Sequence, residues 1–170
     1  DSDLYKALEA ASYEYRFHKN EKLRLYMDSV ISLLQKAQEE DGYLVTVMRI
    51  NKEENLPWNI RAPRLSYLIW SHELYNFGHL YESAVAHYQA TGQNNLLNVA
   101  IRNADLLVRT FLQSDTPNQS VDGHPEVENG LLKLWKVTGK PEYLLLVQKL
   151  LNLRGDSTTH PLYLEYDHGK

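Results

Sequence analysis

SHELYNFGHLYESAVAHYQATG, residues 71–92, predicts one long helix that ends at a glycine. Apolar residues recur along it at helical spacing, namely Leu74, Phe77, Leu80, Tyr81, Ala84 and Val85. Polar or titratable residues crowd its first two turns, namely His72, Glu73, Tyr75, Asn76 and His79. Such groups at the head of an otherwise buried helix usually face a ligand or a network of polar partners. The stretch therefore predicts a packed helix that begins at a polar cleft.

The joint at the end of this stretch recurs later in the chain. Thr91-Gly92 precedes a second apolar helical pattern, and Thr138-Gly139 stands in the same way before the last one, which Pro141 opens. Residues 18–23 hold the same place in an earlier helix pair, without the glycine. Three αα-hairpins in a row predict an all-α fold, either an α-solenoid or part of an α/α toroid. Periodicity leaves both architectures open.

The first hairpin is predicted to be followed by an irregular loop near residues 41–65. Its first helix begins at an Asp1-Ser2-Asp3 cap and carries Leu4 on the apolar face, and its second helix ends near Glu40. Residues 43–47 alternate weakly, as a short extended piece would, and two later prolines disfavour a long helix. Long irregular loops in compact domains are often functional.

The composition is that of an ordinary soluble domain. The chain has 170 residues, 43% of them hydrophobic and 24% charged, and a net charge of -4 predicts no nucleic-acid partner. No apolar run reaches the roughly 20 residues of a membrane helix. The sequence does not distinguish a cytoplasmic location from a bacterial periplasmic or secreted one. The absence of cysteine excludes disulfides, thiolate zinc sites and cysteine nucleophiles within this chain. Tyrosine outnumbers phenylalanine by 12 to 3, which suits a wet sugar site, although most tyrosines are expected on helix surfaces.

A second polar group, DGHPEVE, occupies residues 122–128 at the start of a predicted helix. The helix dipole alone explains its acids, whereas His124 is a poor capping residue and becomes a candidate for function. His72 and His79 lie on a similar face, but their spacing is not that of a metal-binding pair, so no metal site is predicted. His79 is interpreted as a buried histidine that bonds a carboxylate.

Four motifs in order give the chain a family resemblance. They are DSDLYKALEAASY at residues 1–13, QEEDGYL at 38–44, HELYNFGHL at 72–80 and GHPEVE at 123–128. Together they resemble the catalytic domain of the β-L-arabinofuranosidases of glycoside hydrolase family 127, formerly a domain of unknown function. The resemblance extends over nearly the whole chain.

The resemblance implies an (α/α)6 barrel whose inner helices surround a sugar-binding cavity. Residues 1–170, with three hairpins, would supply about half of that barrel. Family members release terminal L-arabinofuranose by a retaining mechanism, with a cysteine nucleophile near a zinc ion that further cysteines and a glutamate hold. His72 and His124 match histidines that contact the arabinose. Tyr43, Glu73 and Glu128 fall in the same motifs and are assigned to the pocket wall or its support.

The chain departs from the family in having no cysteine. We therefore expect it to bind sugar but to hold no catalytic residue and no zinc, although zinc is expected in the full-length family member. We also expect self-association through exposed helix faces. The alternatives are another six-hairpin sugar enzyme, of the unsaturated uronyl hydrolase or sugar epimerase type, and a non-catalytic α-solenoid interaction module.

Overall fold

The computed structural model describes residues 1–46, 63–120 and 122–155, and within these ranges the secondary structure is helical, with no strand. The helices are α1 Ser2–His18, α2 Glu21–Ala37, α3 Leu68–Ser71, α4 Glu73–Thr91, α5 Asn95–Val108, α6 Glu126–Thr138 and α7 Pro141–Gly155. A π-helical turn, Arg109–Gln113, continues α5. The predicted loop near 41–65 falls mostly outside the described residues. None of the described helices is both long and apolar enough to cross a membrane.

The helices form two layers. One layer consists of α1, α4 and α6, with α4 packed between the other two, and in the second layer α5 contacts both α2 and α7. Each hairpin contributes one helix to each layer: α1 with α2, α4 with α5, and α6 with α7. Helix α4 is buried on nearly all sides, whereas α2 buries only Met27, Ile31 and Leu34. The prediction of three successive αα-hairpins is confirmed.

The repeated joint has the same geometry in both copies. Gly92 and Gly139 adopt φ of 73° and 72°, and each donates its backbone N–H to the carbonyl four residues earlier at 2.8 Å. The hydroxyls of Thr91 and Thr138 bond the preceding turn at 2.7 and 2.8 Å. In the first hairpin Lys19 takes the left-handed position, at φ 49°. Glycine favours this conformation because it has no Cβ, so the local sequence identifies the helix ends at Gly92 and Gly139.

Two local predictions are wrong, and a third is right only in position. The helix of residues 71–92 is not continuous, because His72 adopts φ 55° and separates the short α3 from α4. In α1 the side chain of Leu4 is 41% exposed and Tyr5 occupies the buried position. Asp1 is the N-cap residue of α1, as predicted, but its side chain makes no capping hydrogen bond, because its carboxylate accepts hydrogen bonds from Thr46 instead. Residues 43–45, the described start of the predicted extended piece, belong to no helix or strand, and Val47 lies outside the described residues.

The layer of α1, α4 and α6 contains a close approach of two glycines. A Cβ added at Gly78 would lie 2.5 Å from the carbonyl carbon of Glu126, and one added at Gly130 would lie 2.6 Å from the carbonyl oxygen of Gly78. No side chain fits at such distances without moving a backbone. The two glycines therefore fix how closely α4 and α6 approach each other.

His87 provides a pH-dependent element of the core. It is fully buried in α4, and among the described residues neither ring nitrogen has a hydrogen-bond partner. Burial lowers the pKa of His87 below 6.5, and the charge of Asp28 opposes this only in part. As the pH falls below 6.5, the unfolded chain therefore binds a proton at His87, whereas the folded chain resists binding it.

We expect stability to decrease as the pH falls below about 6.5, and His87→Leu to weaken this dependence. Urea midpoints at several pH values measure it. The exposed His18, replaced by glutamine, is the control for the loss of a histidine outside the core. Equal slopes for His87→Leu and the wild type would contradict the assignment.

Candidate functional site

Two histidines from different hairpins meet at one end of the helical layer. His72 is the N-cap residue of α4, and His124 precedes α6 by two residues. Their ring centroids are 5.2 Å apart, and the ring of Tyr75 lies 5.0 Å from that of His124. The side chain of His124 is 49% exposed, and His72 is half-buried. We call His72, Tyr75 and His124 the ring cluster.

Glu73 organises the protein behind the ring cluster. Its side chain is only 1% exposed, and its carboxylate accepts hydrogen bonds from the Tyr43 hydroxyl at 2.5 Å and the Ser71 hydroxyl at 2.7 Å. The backbone N–H of Leu65 reaches both carboxylate oxygens, at 3.0 and 3.1 Å. Glu73 thus joins three chain segments directly beside His72.

Backbone strain is concentrated around Glu73. The described residues include three non-glycine residues with positive φ, and two of them, Leu65 and His72, lie here at 58° and 55°. The left-handed region costs an ordinary side chain about 1–2 kcal/mol, so it persists only where the surroundings hold it. The bonds from Glu73 to Leu65, and from Asn118 to the Leu65 carbonyl at 2.6 Å, hold this segment in place.

Tyr43 is a support of the site rather than an exposed part of its wall. It is 1% exposed, with its ring edge against Phe77 and the Arg64 guanidinium 4.3 Å above its face. Burial and the facing Glu73 carboxylate raise the pKa of the Tyr43 hydroxyl. Tyr43 is therefore a neutral hydrogen-bond donor to Glu73.

Asp122 connects the two histidine-bearing segments, a role that the sequence reasoning did not assign. It is fully buried, and its carboxylate accepts the backbone N–H of Tyr75 at 2.7 Å and that of His124 at 3.2 Å. The Nδ1 atom of His124 lies 3.5 Å from the same carboxylate. Burial raises the pKa of Asp122, and the two backbone bonds counteract this rise. Asp122 thus links the first turn of α4 to the His124 loop.

Glu128 supports the His124 loop through Arg154. It is 3% exposed and pairs with the Arg154 guanidinium at 2.9 Å. The same guanidinium donates to the backbone carbonyls of Asp122 and His124, the latter at 3.3 Å. An arginine fork suits such multiple contacts because its donors lie in one plane. The loop is therefore held from α6 and α7 together.

The structure brings the five predicted site residues into one region but gives them two different environments. His72 and His124 are accessible, whereas Tyr43, Glu73 and Glu128 are buried and bonded to protein groups. Sugar contact stays a prediction for the histidines, and the buried three can act only as supports. Sequence reasoning missed Asp122 and Arg154, although the Asp-x-His spacing was a usable signal for the first.

His79 lies one turn further along α4, against Tyr75 with ring centroids 4.6 Å apart. Its Nδ1 atom is 3.2 Å from a Glu126 carboxylate oxygen and 3.8 Å from one of Glu82. The interpretation of a largely buried histidine beside a carboxylate fits these distances. Neither ring nitrogen, however, makes a hydrogen bond of acceptable geometry within the described residues.

Comparison with known proteins identifies the relatives of this arrangement. Residues 1–167 match the family described as beta-L-arabinofuranosidase, GH127 catalytic domain. The chain is 41% identical over 155 residues to the non-reducing end beta-L-arabinofuranosidase of Bifidobacterium longum subsp. longum, covering 91% of this chain and 23% of the relative.

Two solved structures of GH127 enzymes also resemble this chain. A GH127 beta-L-arabinofuranosidase from Geobacillus stearothermophilus T6 is 37% identical with a TM-score of 0.84, over 98% of this chain and 25% of that one. The GH127 beta-arabinofuranosidase BT3674 is 40% identical with a TM-score of 0.85, over 91% of this chain and 24% of that one. The chain therefore spans about a quarter of the length of these relatives.

The match to this family distinguishes between the two helical architectures, and between the classes of protein, that the sequence left open. The three hairpins are part of an (α/α)6 barrel rather than of an α-solenoid, and the other six-hairpin enzyme classes are not supported. The chain belongs to the GH127 β-L-arabinofuranosidase family of glycoside hydrolases.

Proposed function

We propose that this chain forms one wall of an L-arabinofuranose-binding pocket in a β-L-arabinofuranosidase. The observation that carries the proposal is the meeting of His72 and His124, with rings 5.2 Å apart, at the starts of α4 and α6. An imidazole can donate and accept hydrogen bonds, as sugar hydroxyls can, and the adjacent Tyr75 ring offers an apolar face. Relatives that carry the name β-L-arabinofuranosidase support this choice of sugar.

We propose that the residues of this chain bind the sugar and do not cleave it. In the mechanism that the family resemblance implies, cysteine thiolates hold the zinc ion. This chain contains no cysteine, so its residues do not fit that zinc site. We propose that the nucleophile, the zinc ligands and the general acid belong to parts of the enzyme outside these residues. The retaining mechanism is part of the same proposal. The compartment stays open.

The sugar-binding proposal is tested by titrating the chain with methyl β-L-arabinofuranoside and following the histidine signals by NMR. We expect His72→Ala and His124→Ala each to weaken binding at least about tenfold, equivalent to about 1.4 kcal/mol, because each removes a hydrogen bond to the ligand. His18→Ala is the matched control, since His18 is 68% exposed and far from the ring cluster in sequence. Wild-type affinity in both site variants would contradict the proposal.

We further propose that the chain self-associates through apolar side chains on its surface. Phe17 is 78% exposed, and three residues of α2 are also exposed, namely Tyr26 at 69%, Leu33 at 64% and Leu25 at 56%. Burying such groups between two copies is favourable because it removes apolar surface from water. Light scattering at increasing concentration should detect a dimer, and Phe17→Ser with Leu33→Ser should weaken it. A monomer at high concentration would contradict this expectation.

A further inference from the structure

A group of three metal-ligating side chains lies between α4 and α6, below the ring cluster. His79 and Glu82 occupy α4 one turn apart, and Glu126 is the first residue of α6. Their ligand atoms all lie within 4.8 Å of one another. The side chains are 12%, 15% and 19% exposed, respectively, so the group is largely but not completely removed from solvent.

Three polar atoms of this group have no hydrogen-bond partner in the described part of the protein. Both ring nitrogens of His79 and the Oε1 atom of Glu126 are inaccessible and lack a hydrogen-bond partner among the described residues. The two carboxyl groups also face each other, which places like charges in contact unless a proton or a cation lies between them. The arrangement therefore favours an added positive charge.

The distances fit a metal ion. Zinc binds imidazole nitrogen and carboxylate oxygen at about 2.0–2.2 Å in a tetrahedron, which separates neighbouring ligand atoms by about 3.4 Å. The Nδ1 atom of His79 lies 3.2 Å from Glu126 Oε1 and 3.8 Å from Glu82 Oε2. These separations allow one ion to reach all three ligands after small side-chain shifts.

Lys133 is the competing cation. Its Nζ atom contacts Glu82 Oε1 and lies 3.8 Å from Glu9, and Lys6 is a second positive charge near Glu126. Lys133 contacts Oε1 of Glu82, whereas the oxygen that lies 3.8 Å from His79 is Oε2. The second oxygen therefore stays available, and Glu9 can retain Lys133 when an ion binds.

We propose that His79, Glu82 and Glu126 bind a divalent transition-metal ion, best matched by Zn²⁺, that links α4 to α6. One imidazole and two carboxylates form a mixed nitrogen and oxygen donor set, which suits zinc better than magnesium or calcium. The site differs from the cysteine-containing zinc site that the family resemblance implies, and it departs from the sequence prediction of no metal in this chain. It does not depend on the proposed sugar binding.

The test is a calorimetric titration of the metal-free chain with ZnCl₂. Because the chain has no cysteine, thiolate binding cannot contribute to the heat. We expect one ion per chain and a higher thermal midpoint with zinc, since an ion that binds only the folded state stabilises it. MgCl₂ should produce neither effect. The absence of zinc binding would overturn the proposal.

Variants assign the bound ion to its ligands. We expect His79→Gln and Glu126→Gln each to weaken zinc binding at least about tenfold, and Lys133→Met to strengthen it by removing the competing charge. The double variant His72→Ala with His124→Ala should bind zinc as the wild type does. Circular dichroism without metal shows whether each variant is folded, and Glu82→Gln replaces any variant that is not. Zinc binding that is lost in the double variant but kept in His79→Gln would overturn the proposal.

Discussion

Replacing Gly78 with alanine should lower the free energy of unfolding by about 3 kcal/mol, at the upper end of the range for overpacked positions. The added Cβ would lie 2.5 Å from both the carbonyl carbon and oxygen of Glu126 and 2.7 Å from the backbone nitrogen of Val127. These are backbone atoms, so no side-chain rotation relieves the contact and α6 must move. The better helix propensity of alanine, about 1 kcal/mol, offsets only part of this cost.

Gly92→Ala is the matched control for Gly78→Ala. Gly92 has φ of 73°, and no atom of the described residues lies within 4 Å of an added Cβ, so alanine there tests backbone strain without a clash. We expect a loss of about 1 kcal/mol for the control, from the left-handed conformation alone. Urea unfolding followed by fluorescence measures both. If Gly78→Ala costs no more than Gly92→Ala, the close approach of α4 and α6 does not limit the packing.

Replacing Glu73 with alanine should cost about 4 kcal/mol. The change leaves the Tyr43 hydroxyl, the Leu65 N–H and the Ser71 hydroxyl without their acceptor, and each unsatisfied buried donor costs about 1–3 kcal/mol. Glu73→Gln keeps one acceptor oxygen and should cost about half as much. The free energy of unfolding from urea titration gives both values.

Glu142→Gln is the control for the Glu73 variants. Glu142 also lies in the first turn of a helix, but it is exposed, so its loss should change stability by less than about 0.5 kcal/mol. The comparison separates the buried hydrogen bonds of Glu73 from the general effect of an acid at a helix start. A cost for Glu73→Ala as small as that for Glu142→Gln would mean that water or another group replaces the lost acceptor.

The helices and their ends could be predicted because they depend on neighbouring residues. A threonine and a glycine at the end of an apolar pattern were enough to place the joints at Gly92 and Gly139, and the structure confirms both. The family resemblance then gave the barrel, which periodicity alone could not distinguish from a solenoid. Local chemistry and family motifs together therefore predicted most of the fold.

The internal connections of the site could not be predicted, because they join residues far apart in the chain. The bond between Tyr43 and Glu73 spans 30 positions, and that between Arg154 and Glu128 spans 26. The left-handed conformation of His72 could not be predicted either, since only a few per cent of non-glycine residues adopt it. The group around His79 was missed for the same reason, as Glu126 comes from another helix.

The matching joints lie inside the second and third hairpins, between α4 and α5 and between α6 and α7. Thr91-Gly92 and Thr138-Gly139 close their helices with the same bonds, and no atom of the described residues lies within 4 Å of a Cβ added at either glycine. A joint of this kind should tolerate splicing, since its glycine makes no close contact that a new neighbouring helix would have to preserve. Chimeras spliced at these two glycines would therefore exchange α5 and α6 together with the His124 loop between them, while α4 and α7 stay those of the recipient.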